Sequence, residues 1–249
     1  MRSAAQPPLA LMQGAVKRRA QGESVFELAV PALHVGPGEL VAVVGDSGCG
    51  KSTLLDMLAL VMEPTRVERF EMQFDPETPA TDVRALWASG AETRLAALRR
   101  DSLGYVLQTG GLLPFLSVAD NIALPARVKG LPSPDRAAAE LARRLGLDGC
   151  LRRMPDALSI GQRQRVAILR ALLHGPRLVL ADEPTAAVDK ARAVAIFTDL
   201  QALARERGVA VVVVTHDVEL IGAHADRTYG FRMEQVSEQE TRSQCLEAA

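Results

Sequence analysis

The chain is poor in cysteine and in net charge, and each scarcity excludes a class of protein. Three cysteines, at positions 49, 150 and 245, are spread over 249 residues. They are too few and too scattered for a disulfide framework or a zinc site, and such usage is typical of a reducing compartment. Lysine and arginine together number 29 against 30 aspartates and glutamates, a formal net charge of −1. Because so balanced a chain has no strong positive field, we expect no nucleic-acid partner.

Long apolar runs are also missing. The longest candidates, residues 54–62 and 209–214, fall short of the roughly 20 apolar residues that span a membrane, and Asp56 interrupts the first of them. Near the amino terminus the positive charges at 17–19 follow the short apolar stretch, which is the reverse of their order in a secretory signal. We expect a cytoplasmic chain that does not cross a membrane itself but could dock on a membrane protein.

What the chain does contain is the pattern of an α/β protein. Continuous apolar runs at 40–44, 178–181 and 209–215 predict strands buried on both faces. Helical periodicity predicts helices at 51–61 and 190–207. Buried strands that alternate with helices in this way indicate an α/β fold with a mostly parallel sheet.

Several local expectations complete this outline. They are a loose start over residues 1–22, a half-buried strand at 25–30, a helix at 118–128 broken by Pro125, and Asp135 as the N-cap of a helix at 136–145. We also expect an edge hairpin at 227–236 and a frayed polar tail after it.

One segment between a predicted buried strand and a predicted helix satisfies the phosphate-loop pattern G-x-x-x-x-G-K-[ST]. Its glycines allow backbone N–H groups to converge on a phosphate, and the helix N-terminus adds partial positive charge. Lys51 would reach the β- and γ-phosphates, and Ser52 would offer a hydroxyl to Mg²⁺. The structural alternative is a glycine-rich turn that caps a helix. The candidate nucleotide-binding residues here are Gly45, Asp46, Ser47, Gly48, Cys49, Gly50, Lys51, Ser52 and Thr53.

A second element is the apolar strand at 178–181, which ends in two acids. Asp182 is the candidate ligand for Mg²⁺, and Glu183 is the candidate general base that accepts a proton from an attacking water. On their own these acids could equally be solvated caps of the next helix, since they precede Pro184. Their position after a phosphate loop in the same chain favours catalysis.

Residues 158–162, Leu-Ser-Ile-Gly-Gln, resemble the LSGGQ signature of ATP-binding cassette (ABC) ATPases. Gln108 lies where that family has its Q-loop glutamine, residues 187–189 resemble the D-loop, and His216 resembles the switch histidine. The resemblance covers about residues 25–230. It implies an α/β P-loop NTPase core with a mostly parallel sheet, an N-terminal antiparallel β part and an inserted helical subdomain.

The resemblance also implies roles for these residues. Two copies would pair head to tail, so that Ser159, Gly161 and Gln162 of one copy, together with Asp189, meet the ATP held by the other. His216 would hold the γ-phosphate and help Glu183 to orient water. Gln108 would touch both Mg²⁺ and that water.

Some residues depart from the family pattern. Ile160 replaces the first glycine of the signature, at a position where we expect side chains to be tolerated. The aromatic residue that usually stacks on adenine is absent, because Phe26, the only aromatic residue before the phosphate loop, fits the core face of its strand. By position, the guanidinium of Arg18 or Arg19 would stack on the base instead.

Four segments look like the lipoprotein-release and macrolide-efflux branch of bacterial transporters. They are residues 103–105, 112–114, 121–125 and 176–185. That resemblance makes the apolar loop 112–116 a candidate docking groove, with core packing as its alternative. It leaves the longer segment 70–100, which carries Trp87, as a candidate partner-specific surface.

The predicted division of the chain is a RecA-like core at about 23–85 and 166–236, a helical subdomain at about 86–165, and a tail at 237–249. The function implied is that of a Mg²⁺-dependent ATPase subunit that binds the cytoplasmic face of the membrane and powers a separate permease-type subunit of a bacterial ABC transporter or mechanotransmission complex. The alternative is a soluble ABC-type ATPase with a non-transport partner. A P-loop kinase would need neither the signature nor His216, and a binder without hydrolysis would not need Glu183.

Overall fold

The computed structural model describes residues 7–186, 188 and 190–248, which form one sheet flanked by helices. The strands are β1 (Ala10–Gln21), β2 (Ser24–Val35), β3 (Leu40–Val44), β4 (Arg69–Met72), β5 (Thr81–Asp82), β6 (Leu103–Val106), β7 (Leu178–Asp182), β8 (Ala210–Thr215), β9 (Arg227–Gln235) and β10 (Glu240–Glu247). The helices are α1 (Lys51–Leu58), α2 (Val83–Ala88), α3 (Glu92–Ser102), α4 (Val118–Lys129), α5 (Pro134–Arg144), α6 (Ile160–Leu173), α7 (Lys190–Arg207) and α8 (Val218–Gly222).

The sheet has a parallel half and a largely antiparallel half. Its strand order is β5-β4-β1-β2-β10-β9-β3-β8-β7-β6. Strands β9, β3, β8, β7 and β6 pair in parallel, whereas β1 pairs antiparallel with both β2 and β4. The predicted fold class, with its parallel core and antiparallel N-terminal part, is confirmed.

Two apolar layers cover the parallel strands, and a third cluster stands apart from them. Helix α1 packs on one face together with the inner side chains of β1 and β2, while α6, α7 and α8 pack on the other face. The third cluster joins α4 and α5 to α6 and forms the predicted helical insertion. Strand β6 lies within the predicted helical range 86–165, yet it pairs with β7 in the main sheet.

The prediction of a loose start over residues 1–22 is wrong where the structure describes that segment. Strand β1 covers Ala10–Gln21 and pairs with β2 along its length. Its alternation is interrupted at Gly14, which has φ +59° and lies between register pairs on either side, opposite Pro31. Proline has no N–H to donate to the hydrogen-bond ladder between the strands. The sequence around Gly14 and Pro31 therefore lacks the pattern that predicts a regular strand.

Two helix predictions are corrected. Helix α4 runs through Pro125 without a break, because it is capped by the Ser117 side chain and buries an apolar face that offsets the lost hydrogen bond. Helix α5 begins at Pro134, so its N-cap is Ser133, at φ +50°, and not Asp135. Asp135 lies in the first turn, where it pairs with Arg127.

The C-terminal segment is also unlike the prediction. Strands β9 and β10 do form a hairpin, but β10 inserts into the sheet and pairs in parallel with β2. The tail is therefore not frayed over Glu240–Glu247, and the hairpin is not at an edge. Its polar sequence hides an alternation in which Ser243 and Cys245 point into the core and are fully buried.

Trp87 lies on α2 and packs against the apolar layer that contains α1. This contact gives that residue a core role. The proposal that residues 70–100 form a partner surface therefore loses its most conspicuous side chain, although the rest of the segment stays a prediction.

Candidate functional site

The candidate site lies at one edge of the parallel half of the sheet. Strands β3, β8, β7 and β6 are neighbours and run in the same direction, so their carboxyl ends meet. The phosphate loop follows β3, His216 follows β8, Asp182 and Glu183 end β7, and Gln108 follows β6. Residues that are up to 171 positions apart are thus brought together by the strand order.

The phosphate loop curls through two glycines in the left-handed region. Gly48 has φ +83° and Gly50 has φ +108°, conformations that an L side chain rarely adopts. Gly50 is the N-cap of α1 and has no side chain with which to cap the helix, so the first N–H groups of α1 are left for a ligand. The Lys51 ammonium donates to the backbone carbonyls of Gly45 at 2.6 Å and Asp46 at 2.9 Å.

A groove of about 890 Å³ opens above this loop. Of the predicted site residues, those that line it are Ser47, Gly48, Gly50, Lys51, Ser52, Thr53, Gln108, Asp182 and Glu183. Cys49 does not line the groove and is buried behind the loop. Asp189 of the predicted D-loop lies outside the described residues, as does Ala187.

The acids at the end of β7 sit in an environment that raises the pKa of Asp182. Burial is the main cause, the neighbouring carboxylates of Glu183 and Asp56 act in the same direction, and the Lys51 ammonium and the Ser52 hydroxyl oppose them. Such crowding of negative charge would be relieved by a cation. In the part of the chain that the structure describes there is no group of three His, Cys, Asp or Glu side chains that could bind a metal.

The predicted ligands for Mg²⁺ nevertheless fit that ion. Ser52, Gln108 and Asp182 all line the groove, and they offer a hydroxyl, an amide carbonyl and a carboxylate. These are oxygen donors of the kind Mg²⁺ prefers, and Mg²⁺ normally completes its shell with waters and substrate phosphates.

Glu183 and His216 form a hydrogen-bonded pair beside the groove. The His216 Nδ1 atom lies 2.8 Å from Glu183 Oε2, with exposed side-chain fractions of 66% for His216 and 13% for Glu183. Glu183 has φ +47°, and its N–H donates to the Val214 carbonyl at 2.9 Å. Strain of this kind in a residue other than glycine is typical of functional positions, and here it turns the carboxylate toward both the histidine and the groove.

The predicted signature residues lie elsewhere on the same molecule. Ser159 and Gln162 form a capping box at the start of α6. Together with Gly161 they line a separate pocket of about 220 Å³ that contains no residue of the phosphate loop. Ile160 is 47% exposed, so its side chain causes no crowding at the position where the family pattern has glycine.

The side of the groove formed by β1, β2 and the β9–β10 hairpin contains residues that the sequence prediction assigned differently or missed. Phe26 is half-buried and packs on the core, as predicted, but it also lines the groove. Arg19 lines the groove and Arg18 does not. The β9–β10 hairpin adds polar residues that the sequence analysis missed, because it predicted an edge hairpin and a frayed tail for this segment. These residues are Gln235, Glu238, Gln239 and Thr241.

A phosphate loop, an acidic strand end and a histidine at the carboxyl edge of a parallel sheet define the class of P-loop ATPases. The family model "ABC transporter" matches residues 28–186. The chain therefore belongs to the ABC transporter family, in which it is an ATP-binding and ATP-hydrolysing subunit.

Named relatives and solved structures agree with this assignment. A lipoprotein-releasing system ATP-binding protein LolD 1 of Rhodospirillum rubrum is 41% identical over 222 residues, which are 86% of this chain and 92% of the relative. A macrolide export ATP-binding/permease protein MacB of Sodalis glossinidius is 38% identical over 90% of this chain, which spans only 33% of that relative. Two dimeric structures of the bacterial ABC transporter cassette MJ0796 are each 31% identical. The first aligns over 89% of this chain and 93% of the solved chain, with a TM-score of 0.75. The second, a post-hydrolysis state bound to ADP and Pi, aligns over 96% of this chain and 100% of the solved chain, with a TM-score of 0.76.

These relatives support the transport assignment and give no support to the soluble alternative. Among the described residues, no helix is both long enough and apolar enough to cross a membrane.

Proposed function

We propose that the chain hydrolyses Mg²⁺-ATP in the groove above the phosphate loop, as one half of a head-to-tail homodimer that drives a separate membrane subunit. The observation that carries this proposal is the Glu183–His216 pair, at 2.8 Å, beside the same groove that Lys51 and Asp182 line. A nucleotide-binding site without hydrolysis would not need a carboxylate held in this way.

In the proposed mechanism, each group at the site acts on the terminal phosphate or on the attacking water. Lys51 and the N–H groups at the start of α1 stabilise charge on the phosphoryl group. Mg²⁺, held by Ser52, Gln108 and Asp182, would supply charge neutralisation on the phosphates. Glu183 accepts the proton of the attacking water, while its hydrogen bond to His216 fixes the orientation of the carboxylate.

The homodimer is supported by the separation of the site into two half-sites that do not meet within one copy. The pocket of Ser159, Gly161 and Gln162 shares no lining residue with the phosphate-loop groove. A second copy, arranged as in the dimeric MJ0796 cassettes, would place the hydroxyl of Ser159 and the N-terminus of α6 against the γ-phosphate. Asp189 is proposed to act at the same interface.

The membrane partner is supported by the relatives, whose names include lipoprotein release and macrolide export, and by an apolar groove of about 340 Å³. That groove lies between β6 and α4, and its lining includes Tyr105, Leu124, Pro125 and Val128. In the predicted docking loop, Phe115 is 72% exposed and Leu112 packs against the core, but neither lines this groove. We propose that the groove between β6 and α4 receives a cytoplasmic helix of the membrane subunit, which places the chain on the cytoplasmic face of the membrane.

The test is the Glu183→Gln variant, which keeps the shape of the side chain but cannot accept a proton. We expect ATP hydrolysis to fall at least about 100-fold while ATP converts the variant from monomer to dimer. Turnover of ATP and molar mass with and without Mg²⁺-ATP would be measured for wild type, for this variant and for Glu219→Gln, an exposed control. Hydrolysis by Glu183→Gln at the wild-type rate would remove Glu183 from the mechanism.

A further inference from the structure

A buried hydroxyl near the C-terminus contacts the back of the phosphate loop. Ser243, on β10, is fully buried, and its hydroxyl donates to the backbone carbonyl of Cys49 at 2.6 Å, across 194 positions of sequence. Cys49 is itself buried. A buried hydroxyl and carbonyl without partners would each be costly, so the bond holds both groups in place.

This bond fixes a peptide unit that faces the ligand on its other side. The carbonyl of Cys49 and the N–H of Gly50 belong to one planar trans peptide, in which the two groups point in opposite directions. With the carbonyl held against β10, the N–H of Gly50 points away from that strand. Gly50 lines the groove and has φ +108°, so the orientation of this peptide is not fixed by ordinary backbone preference.

The strand that carries Ser243 has further links to the groove. Strand β10 lies between β2 and β9, where Ser243 is in register with Leu28 and Met233. Met233 and Thr241, on the same hairpin, line the groove. The C-terminal hairpin therefore both lines the site and supports the phosphate loop from behind through Ser243.

We infer that Ser243 is a positioning residue of the nucleotide site and that it couples the docking of the C-terminal strand to nucleotide binding. The inference rests on the proposed function, because it assigns Ser243 to the same phosphate loop. If the docked β10 strand favours nucleotide binding, bound nucleotide must favour the docked strand by the same free energy. Bound ATP should hold β10 in the sheet, and a docked β10 should hold the loop in its binding conformation.

The first experiment measures the Kd for ATP of Ser243→Ala, well below its melting temperature. We expect binding to weaken by about fivefold to tenfold, the range for the loss of one buried hydrogen bond. Ser243→Cys keeps a donor at the same position, although a weaker one on a larger atom, so it should bind with intermediate affinity and also serves if the alanine variant folds poorly. Ser102→Ala, which changes a buried serine at the end of α3 that does not line the groove, should bind as wild type does.

The second experiment reads the strand itself. Hydrogen exchange of the amides of Glu240–Glu247 would be followed with and without ATP. We expect ATP to slow the exchange of these amides in wild type and in Ser102→Ala. In Ser243→Ala, ATP should leave their exchange rates unchanged.

These outcomes separate the inference from the proposed function. Wild-type affinity in Ser243→Ala would overturn the positioning role even if the melting temperature falls, because that pattern is the mark of a merely structural serine. Exchange in β10 that ATP leaves unchanged in wild type would overturn the coupling. Wild-type protein that binds no ATP would overturn the proposed function, and the inference with it.

Discussion

At the scale of single residues, the chemistry of this site is carried by side chains at or shortly after strand ends, and those could be predicted from the sequence. Asp182 and Glu183 come directly after a continuous apolar run, and Lys51 follows another such run across the phosphate loop, so local patterns are enough to place them at the carboxyl edge of the sheet. The side of the groove formed by β1, β2 and the β9–β10 hairpin was predicted only in part. The family resemblance pointed to Arg18 or Arg19, of which Arg19 lines the groove, but the hairpin residues reach it only through strand pairing across the whole chain.

Arg19 gives the first prediction at this scale. Arg19 lines the groove and is in register with Phe26 on the neighbouring strand, a position that suits a guanidinium plane that stacks on the base. We expect Arg19→Ala to weaken ATP binding by about fivefold to tenfold, as for a partly desolvated cation–π contact. The binding of a fluorescent ATP analogue would be titrated to measure this change.

The neighbouring arginine supplies the matched control. The N–H of Arg18 bonds to the Thr65 hydroxyl at 3.0 Å, and its side chain does not line the groove. Arg18→Ala should therefore bind ATP as wild type does. Equal losses in the two variants would show that general positive charge, and not stacking by Arg19, is responsible.

At the scale of elements, the predictions failed where packing overrides local preference. Helix α4 continues through Pro125 because its buried face, which includes Ile122 and Ala126, stabilises the helix more than one missing hydrogen bond destabilises it. Strand β10 looks polar and forms because two neighbouring strands satisfy its backbone. Neither partner is visible from the segment alone.

The C-terminal end of α6 contains a buried histidine that predicts a dependence of stability on pH. His174 is nearly fully buried, its Nε2 lies 2.9 Å from the Leu103 carbonyl, and no partner within the described residues reaches its Nδ1. Burial is the main cause that lowers the pKa of His174, and the Lys129 ammonium acts in the same direction, against the Leu103 carbonyl and Asp101. The folded protein thus resists protonation at this position.

As the pH falls below about 6.5, the unfolded chain gains a proton at His174 that the folded chain does not. The free energy of unfolding should therefore decrease from pH 7.5 to pH 5.5. His174→Gln removes this contribution and should show a shallower decrease. Urea unfolding of wild type and His174→Gln at pH 7.5 and pH 5.5 gives the decrease in the free energy of unfolding for each protein. Equal decreases in the two proteins would contradict the role of His174.

At the scale of the whole molecule, the sheet is joined through its C-terminal strand. The antiparallel half ends at β2 and the parallel half at β9, and β10 lies between them and pairs with both. The nucleotide groove spans this junction, with the phosphate loop in one half and Arg19 and Phe26 in the other. The nucleotide site therefore depends on β10. A frayed tail at residues 237–249, as the sequence predicted, could be removed without effect on that site.

A truncation after residue 236 distinguishes the two views. Removing β10 exposes the edges of β2 and β9, uncovers the apolar residues that pack around Cys245, and deletes the Ser243 contact to the phosphate loop. We expect the truncated chain to be largely insoluble or to melt at least about 10 °C below wild type, because several buried side chains and a full strand ladder are lost. A chain that ends at residue 247 keeps the strand and serves as the control, since its melting temperature and ATP affinity should match wild type. If the chain ending at residue 236 stays soluble, melts within about 2 °C of wild type and binds ATP normally, β10 does not join the two halves in solution.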